Sequence, residues 1–377
     1  MKTHSLNEKT ANKIKKILKK EKFNSAQIKE ILSSYTTFDG KEDLDKCFDV
    51  TFTLSLACLD RNDYKSLTDK HNREYLQLKG YLKNESLSIK QALSVFRYTL
   101  FPNNMLNLKR LDPRKQLENL KNSTLQDIAF IESELKTSFR GGDVLGLMRF
   151  VEESWIKNQC KNSNCENYDV WENDVKNYCI NNGLEALTDT FINNFMPEYN
   201  EYSFAKVNLE ELENAMKSQL SYNMILYRGE RCTPIERQIL FNNMKRNMLF
   251  GETLKSNKPI KTENGYTSTS LSYETSFAKY PEYILAYRLI VPKGTQGLSV
   301  NRISSFPKEY EVLLNSNDMF LVDCDPNFVD QFGCKKFFLT VLVLSKDRSC
   351  YKDLGAKKEN NKEIQADLEE DIFKKVK

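Results

Sequence analysis

Residues 283–291 read YILAYRLIV. Alternate positions make two faces, Tyr283, Leu285, Tyr287, Leu289 and Val291 on one, Ile284, Ala286, Arg288 and Ile290 on the other. The first is continuously apolar or aromatic, and only Arg288 breaks the second, which predicts a well-buried strand. Pro292-Lys293-Gly294 follows as a turn. Outward from this strand, short apolar runs recur at 222–228 (YNMILYR, bounded by Gly229), 265–270, 296–300, 309–314, 318–323 and 336–345 (KFFLTVLVLS), with Pro307 as a further break. Thr233-Pro234-Ile235-Glu236 supplies a cap, a proline in the first turn and an acidic third position, predicting a helix to about residue 248. The C-terminal half therefore reads as a compact sheet-rich domain.

The texture before residue 222 is helical. Ser5 with Glu8 predicts a capping box, after which Ala11, Ile14, Ile17 and Leu18 keep a 3.6-residue period. Ile28, Ile31, Leu32 and Tyr35 predict a second helical face. Further helices are expected near 88–99, 124–138 and 143–158, the last opening after Gly141-Gly142 with Asp143 as cap. Asn208 with Glu211 predicts one more. These apolar stripes read as core rather than as partner grooves. The chain thus divides by texture into 1–200, helical, and 205–347, sheet-rich. A charged tail, 352–377, follows, in which Ile364, Leu368, Ile372 and Val376 recur at four-residue spacing.

Composition narrows the class. With 377 residues, 40% apolar content, 22 Phe and 18 Tyr against 13 Gly and 9 Pro, the chain can pack a sizeable core. A net charge of +4 from 56 basic and 52 acidic residues gives no ground for a nucleic-acid partner. Lysines crowd residues 1–22. A solvated helix face is the plainer reading there, and a site for an acidic partner or anionic membrane surface is the alternative. Nine cysteines, odd in number and irregularly spaced, point to a reducing compartment, and no metal is expected. The only histidines are His4 and His71, so acid–base chemistry falls to carboxylates. No cleavable signal peptide or bilayer-spanning run is read. The residues following the strands form no Gly-x-Gly-x-x-Gly fingerprint or P-loop.

Three separated pieces carry the chemistry: Tyr227-Arg228-Gly229, Gly265-Tyr266-Thr267-Ser268-Thr269-Ser270, and Glu309-Tyr310-Glu311. Each alone reads as an ordinary strand arginine, a turn, and a solvated edge. Together, and in this order, they resemble the mono-ADP-ribosyltransferases of the arginine–serine–glutamate class, which include toxins and effectors. The resemblance covers about residues 205–347. It implies an α+β fold, a two-sheet NAD-binding core preceded by a mostly helical N-terminal region.

The same resemblance assigns roles. Breaking the bond between ribose and nicotinamide develops oxocarbenium-like charge on the sugar, as in glycoside hydrolysis, and a fixed carboxylate stabilises it. That residue is implied to be Glu311, oriented by the hydroxyl of Ser268. Arg228 is implied to hold NAD through phosphate or ribose contacts, its planar fork suiting pyrophosphate oxygens. Gly229 would let the backbone approach the nucleotide. Thr269 and Ser270 would shape the pocket, and Tyr266 is a candidate aromatic wall or an ordinary core tyrosine. Glu309, first of the Glu-x-Glu pair, is implied to serve the acceptor, with arginine as that acceptor. The loop 301–308, with Phe306, is the expected contact for the target protein.

The setting follows by analogy: an effector secreted without a cleaved signal peptide, modifying a host protein in the host cytosol. The N-terminal region would serve targeting, activation or partner binding. The rival readings are an NAD glycohydrolase and a helical interaction module with a catalytically weak C-terminal domain.

Overall fold

The protein, seen as a computed structural model, is described for residues 2–37, 87–100, 113–162, 168–231, 257–278, 282–300, 303–304 and 309–355. The helix expected from Thr233 to 248, Phe306 and the tail beyond 355 lie outside the described residues. The described part is α+β, a helical N-terminal region on a mixed sheet core.

The strands are β1 (Lys2–His4), β2 (Tyr35–Thr37), β3 (Met224–Arg231), β4 (Pro259–Glu263), β5 (Thr267–Ser270), β6 (Tyr283–Val291), β7 (Gly297–Ser299), β8 (Glu311–Leu314), β9 (Asn317–Val329) and β10 (Lys335–Ser345). The main path through the sheet runs β4-β9-β10-β6-β3-β5-β8-β7, with β2 beside β3 and β1 beside β2. As both its faces predict, β6 is interior, parallel to β10 and antiparallel to β3. The path has a seam. A single residue pair, Tyr227 with Ser270, joins β3 to β5, so β5, β8 and β7 form a small sheet folded against the larger one.

The two sheets share an apolar filling: Leu226, Tyr287, Leu289, Val291, Leu321 and Val341 meet Tyr310, Val312 and Leu314. Full burial of each such side chain stabilises by roughly 1.5–3 kcal/mol relative to exposure. The outer face of the large sheet, with Ile225, Ile290, Phe320 and Leu342, is covered by α1 (Glu8–Lys20) and α2 (Ser25–Ile31) through Ile14, Ile17, Leu18 and Ile31. The outer face of the small sheet, with Leu298 and Leu313, is covered by α3 (Ile89–Leu100) and α7 (Met196–Ala215) through Val95, Leu209 and Leu212. Helices α4 (Pro113–Leu135), α5 (Gly141–Asn162) and α6 (Tyr168–Asn181) build a separate cluster around Trp171, Val151 and Phe191.

Several local expectations change. Asn7, not Ser5, caps α1, accepting from the Thr10 amide, because the helix starts at Glu8 and leaves Ser5 outside. Tyr35 leaves the second helix for β2, and its hydroxyl still reaches back to the Ile31 carbonyl at 2.6 Å. Asn208 is no cap; it lies inside α7, buried, its side-chain oxygen accepting from Ser94 at 3.3 Å. Residues 2–37 share a core and a strand pairing with the large sheet, so texture does not separate packed units at the start of the chain. Part of the lysine run is engaged there: Lys9 pairs with Asp323 at 3.3 Å and Lys13 donates to Asn257 at 2.5 Å.

Candidate active site

The seam between the sheets gathers the three separated motifs. Antiparallel pairing places Ser268 opposite Leu313 and Ser270 opposite Glu311. The two-residue pleat then sets Ser268, Ser270 and Glu311 on one face of the small sheet. Arg228 projects from β3 of the large sheet, on the side of Leu226 and Glu230. Its Nη1 donates to the carbonyl of Ser268 at 2.8 Å, and the Ser268 hydroxyl donates to a carboxyl oxygen of Glu311 at 2.5 Å. Residues separated by 40 and 43 positions thus form one connected line from guanidinium to carboxylate.

Glu309 and Glu311 live in different surroundings. Glu311 is 7% exposed. Burial, with Glu309 nearby, pushes its carboxyl up to about 7, against the opposing Ser268 hydroxyl and Arg228 charge. Glu309 is exposed, and partial desolvation raises its carboxyl above the ordinary value. Tyr310 separates them with φ of 49°, in the left-handed region that a bulky residue occupies at a cost of about 1–2 kcal/mol. Its fully buried ring in the inter-sheet filling holds that conformation and turns the backbone between the glutamates.

The remaining motif residues hold this turn. Ser270 donates to the Glu309 carbonyl at 2.6 Å and lies 2.9 Å from the Thr275 hydroxyl. Thr269 donates to the Val312 carbonyl at 2.5 Å on the opposite face. Both are buried and bonded to the backbone on either side of Glu311. Tyr266 takes the core alternative of its two readings: it is 2% exposed, packs edge-on against Tyr98 and donates its hydroxyl to Glu213. At Gly229 an added Cβ would meet the Ser276 carbonyl at 2.6 Å and Phe277 at 2.8 Å. The glycine is required by close packing of β3 on the turn 274–278, not by room for a ligand on that side.

Sequence reading missed a neighbouring cluster. Glu230 accepts from Nε of Arg228 at 2.9 Å, from the Tyr287 hydroxyl at 3.2 Å and from Lys261. Burial works against its charge, but Arg228 and Lys261 outweigh it and hold the carboxyl below its ordinary value. The signal was available in part: Glu230 follows Arg228 by two residues on a strand, hence on the same face. Lys261 comes from a strand that was not foreseen. Among the described residues, no group of three His, Cys, Asp or Glu side chains is placed to hold a metal ion.

Comparisons with known proteins give the chemical class. Residues 152–346, just over half of the chain, match the family model described as ADP-ribosyltransferase exoenzyme. No curated protein matches the sequence. Among solved structures, the chain is similar to an ADP-ribosyltransferase from Clostridium botulinum, at 21% identity over 38% of this chain and 71% of that one, TM-score 0.30. It is similar also to the C3 exoenzyme of Clostridium limosum, at 21% identity over 51% and 94%, TM-score 0.29. A third is an ADP-ribosylating toxin of C. perfringens, part of a binary enterotoxin and solved with NADH, at 17% identity over 54% and 48%, TM-score 0.32. The family match reaches back into α5, so it takes in helices that the motifs alone did not cover. The chain belongs to the ADP-ribosyltransferase exoenzyme family and is an NAD-dependent mono-ADP-ribosyltransferase of the toxin and effector type.

Proposed function

We propose that the enzyme transfers ADP-ribose from NAD to an arginine of a host protein, with Arg228, Ser268, Glu309 and Glu311 as its working residues. The observation that carries this reading is the contrast within one Glu-Tyr-Glu turn, a buried carboxyl bonded to Ser268 beside an exposed one. Arg228 holds the pyrophosphate of NAD through its guanidinium fork, with the Gly229 main chain alongside. Glu311 accepts a hydrogen bond from a hydroxyl of the nicotinamide ribose and stabilises positive charge as the bond from C1′ to the nicotinamide nitrogen breaks. Nicotinamide leaves with that electron pair. A guanidine nitrogen of the acceptor then bonds to C1′ and gives up its proton as it attacks. Glu309 attracts the guanidinium and takes that proton, which its exposed position and raised affinity for a proton both suit.

In this reading the loop with Phe306 touches the target, and the N-terminal region directs the enzyme to a host partner or responds to an activator. The enzyme is secreted and works in the host cytosol as a virulence factor. No nucleic acid is involved, and the lysine-rich start offers an acidic membrane surface a secondary contact. Among the described residues, no helix is long and apolar enough to cross a membrane.

The test is incubation of wild type, Glu311→Ala and Glu309→Ala with labelled NAD and a eukaryotic lysate, followed by mass spectrometry of the labelled proteins. Label on arginine that requires both glutamates is expected, with residual nicotinamide release in Glu309→Ala. Label on another side chain would overturn the acceptor assignment. Nicotinamide release without any labelled protein would indicate a glycohydrolase.

A further inference from the structure

We propose that Glu230 is a positioning residue for NAD binding: together with Lys261 and Tyr287 it fixes the plane of the Arg228 guanidinium before the dinucleotide arrives. The inference rests on the reading of Arg228 as the residue that holds NAD.

A free arginine side chain carries about 2 kcal/mol of rotamer entropy, which a ligand must otherwise remove on binding. Here two bonds from different directions already remove it. Nε donates to Glu230 at 2.9 Å, and Nη1 donates to the Ser268 carbonyl at 2.8 Å. These use two of the five N–H groups of a planar fork, and the rest of the plane is thereby aimed. One anchor belongs to β3 and the other to β5, so the guanidinium is referenced to both sheets at the seam.

A carboxylate beside a pyrophosphate site would by itself repel the ligand. Lys261 answers that objection. It pairs with Glu230, so the cluster of Arg228, Glu230 and Lys261 carries one net positive charge in place of zero. Lys261 lies on β4, and three strands stand between β4 and β3 along the sheet. The large sheet must therefore curl for the two side chains to meet. Tyr287, from β6 on the same inner face, donates to the second carboxyl oxygen of Glu230. Glu230 is thus held by donors from three strands, unlike an ordinary surface ion pair whose partners are free to separate. Its side chain is 19% exposed, and that of Arg228 is 22% exposed.

The test uses the full-length chain and a double-mutant cycle read by NAD titration and by steady-state nicotinamide release. Glu230→Ala should raise the Kd and KM for NAD about tenfold with kcat held within about threefold, the signature of lost ground-state binding. Glu230→Gln, which keeps an acceptor for Nε, should recover most of that loss. In an Arg228→Ala background, Glu230→Ala should add nothing, because the residue acts only through the arginine. If Glu230→Ala does not fold, Lys261→Met should raise the Kd about threefold and lose this effect in the same background. A fall in kcat with Kd unchanged, or full additivity with Arg228→Ala, would overturn the proposal while leaving the role of Arg228 intact. Unchanged NAD affinity in Arg228→Ala alone would remove the reading beneath it, and the proposal with it.

Discussion

The hydroxyl of Ser268 stands 2.5 Å from a carboxyl oxygen of Glu311, and this bond opposes the burial that raises the Glu311 pKa. Ser268→Ala removes the opposition. The acid limb of the rate–pH profile, set in the wild type by a carboxyl titrating at about 7, should move to higher pH. Steady-state nicotinamide release measured from pH 5 to 9 checks this; a limb at the wild-type position would show that the two groups are not coupled in solution.

Glu311→Gln should abolish transfer and stabilise the fold at alkaline pH. The folded carboxyl titrates at about 7 against an ordinary 4.5, so between those values the folded chain keeps a proton that the unfolded chain has released. Wild-type stability therefore falls as pH rises through that window, by up to roughly 3 kcal/mol, and falls no further above it. The glutamine variant has no such loss. Denaturant melts at pH 4.5 and pH 8 should give a variant advantage that appears only at the higher pH.

Gly229→Ala should cost roughly 1–3 kcal/mol, since the new methyl would meet a backbone oxygen at 2.6 Å. The segment it pushes, 274–278, contains Thr275, whose hydroxyl contacts Ser270 beneath the glutamate turn. Turnover should fall together with the thermal midpoint. A variant of unchanged midpoint would show that β3 and this turn are not packed as described.

Tyr266→Phe tests the core reading of that residue. It should lower stability by roughly 0.5–1.5 kcal/mol through loss of the hydrogen bond to Glu213, and the KM for NAD should not move. A rise in KM at unchanged stability would return Tyr266 to the nucleotide pocket.

The parts of the fold legible in the sequence were those in which one physical signal acted alone. Apart from Arg288, both faces of β6 are apolar, and β6 is interior. The start of β9 was legible for the same reason, but Asp323, Asp325 and Pro326 hid its continuation to Val329. The structure accommodates Pro326 in a register shift opposite Phe337, where no ladder amide is needed. Strand β4 (PIKTE) opens on a proline and is mostly polar, and β1 is polar throughout. Both lie at margins of the sheet, where pairing and not burial makes the strand. At the site, the motifs brought Arg228, Ser268, Glu309 and Glu311 into view. No spacing rule could have linked Lys261 to Glu230, because their contact depends on the curl of the whole sheet. Nor does any propensity foretell a tyrosine at positive φ.

The covering of the large sheet by α1 and α2 ties the two ends of the described chain together. Gln27 donates to the carbonyl of Tyr351 across 324 positions, Lys9 reaches Asp323 across 314, and Thr36 pairs with Met224. Contacts of such sequence separation require the loop entropy of nearly the entire polypeptide to be overcome before they return any free energy. The first helices made thus lack part of the surface they cover, Leu342, Leu344 and Tyr351, until the last strand exists. Folding of this enzyme closes at its beginning, and whatever delays the arrival of β10 keeps the outer face of the large sheet uncovered until then.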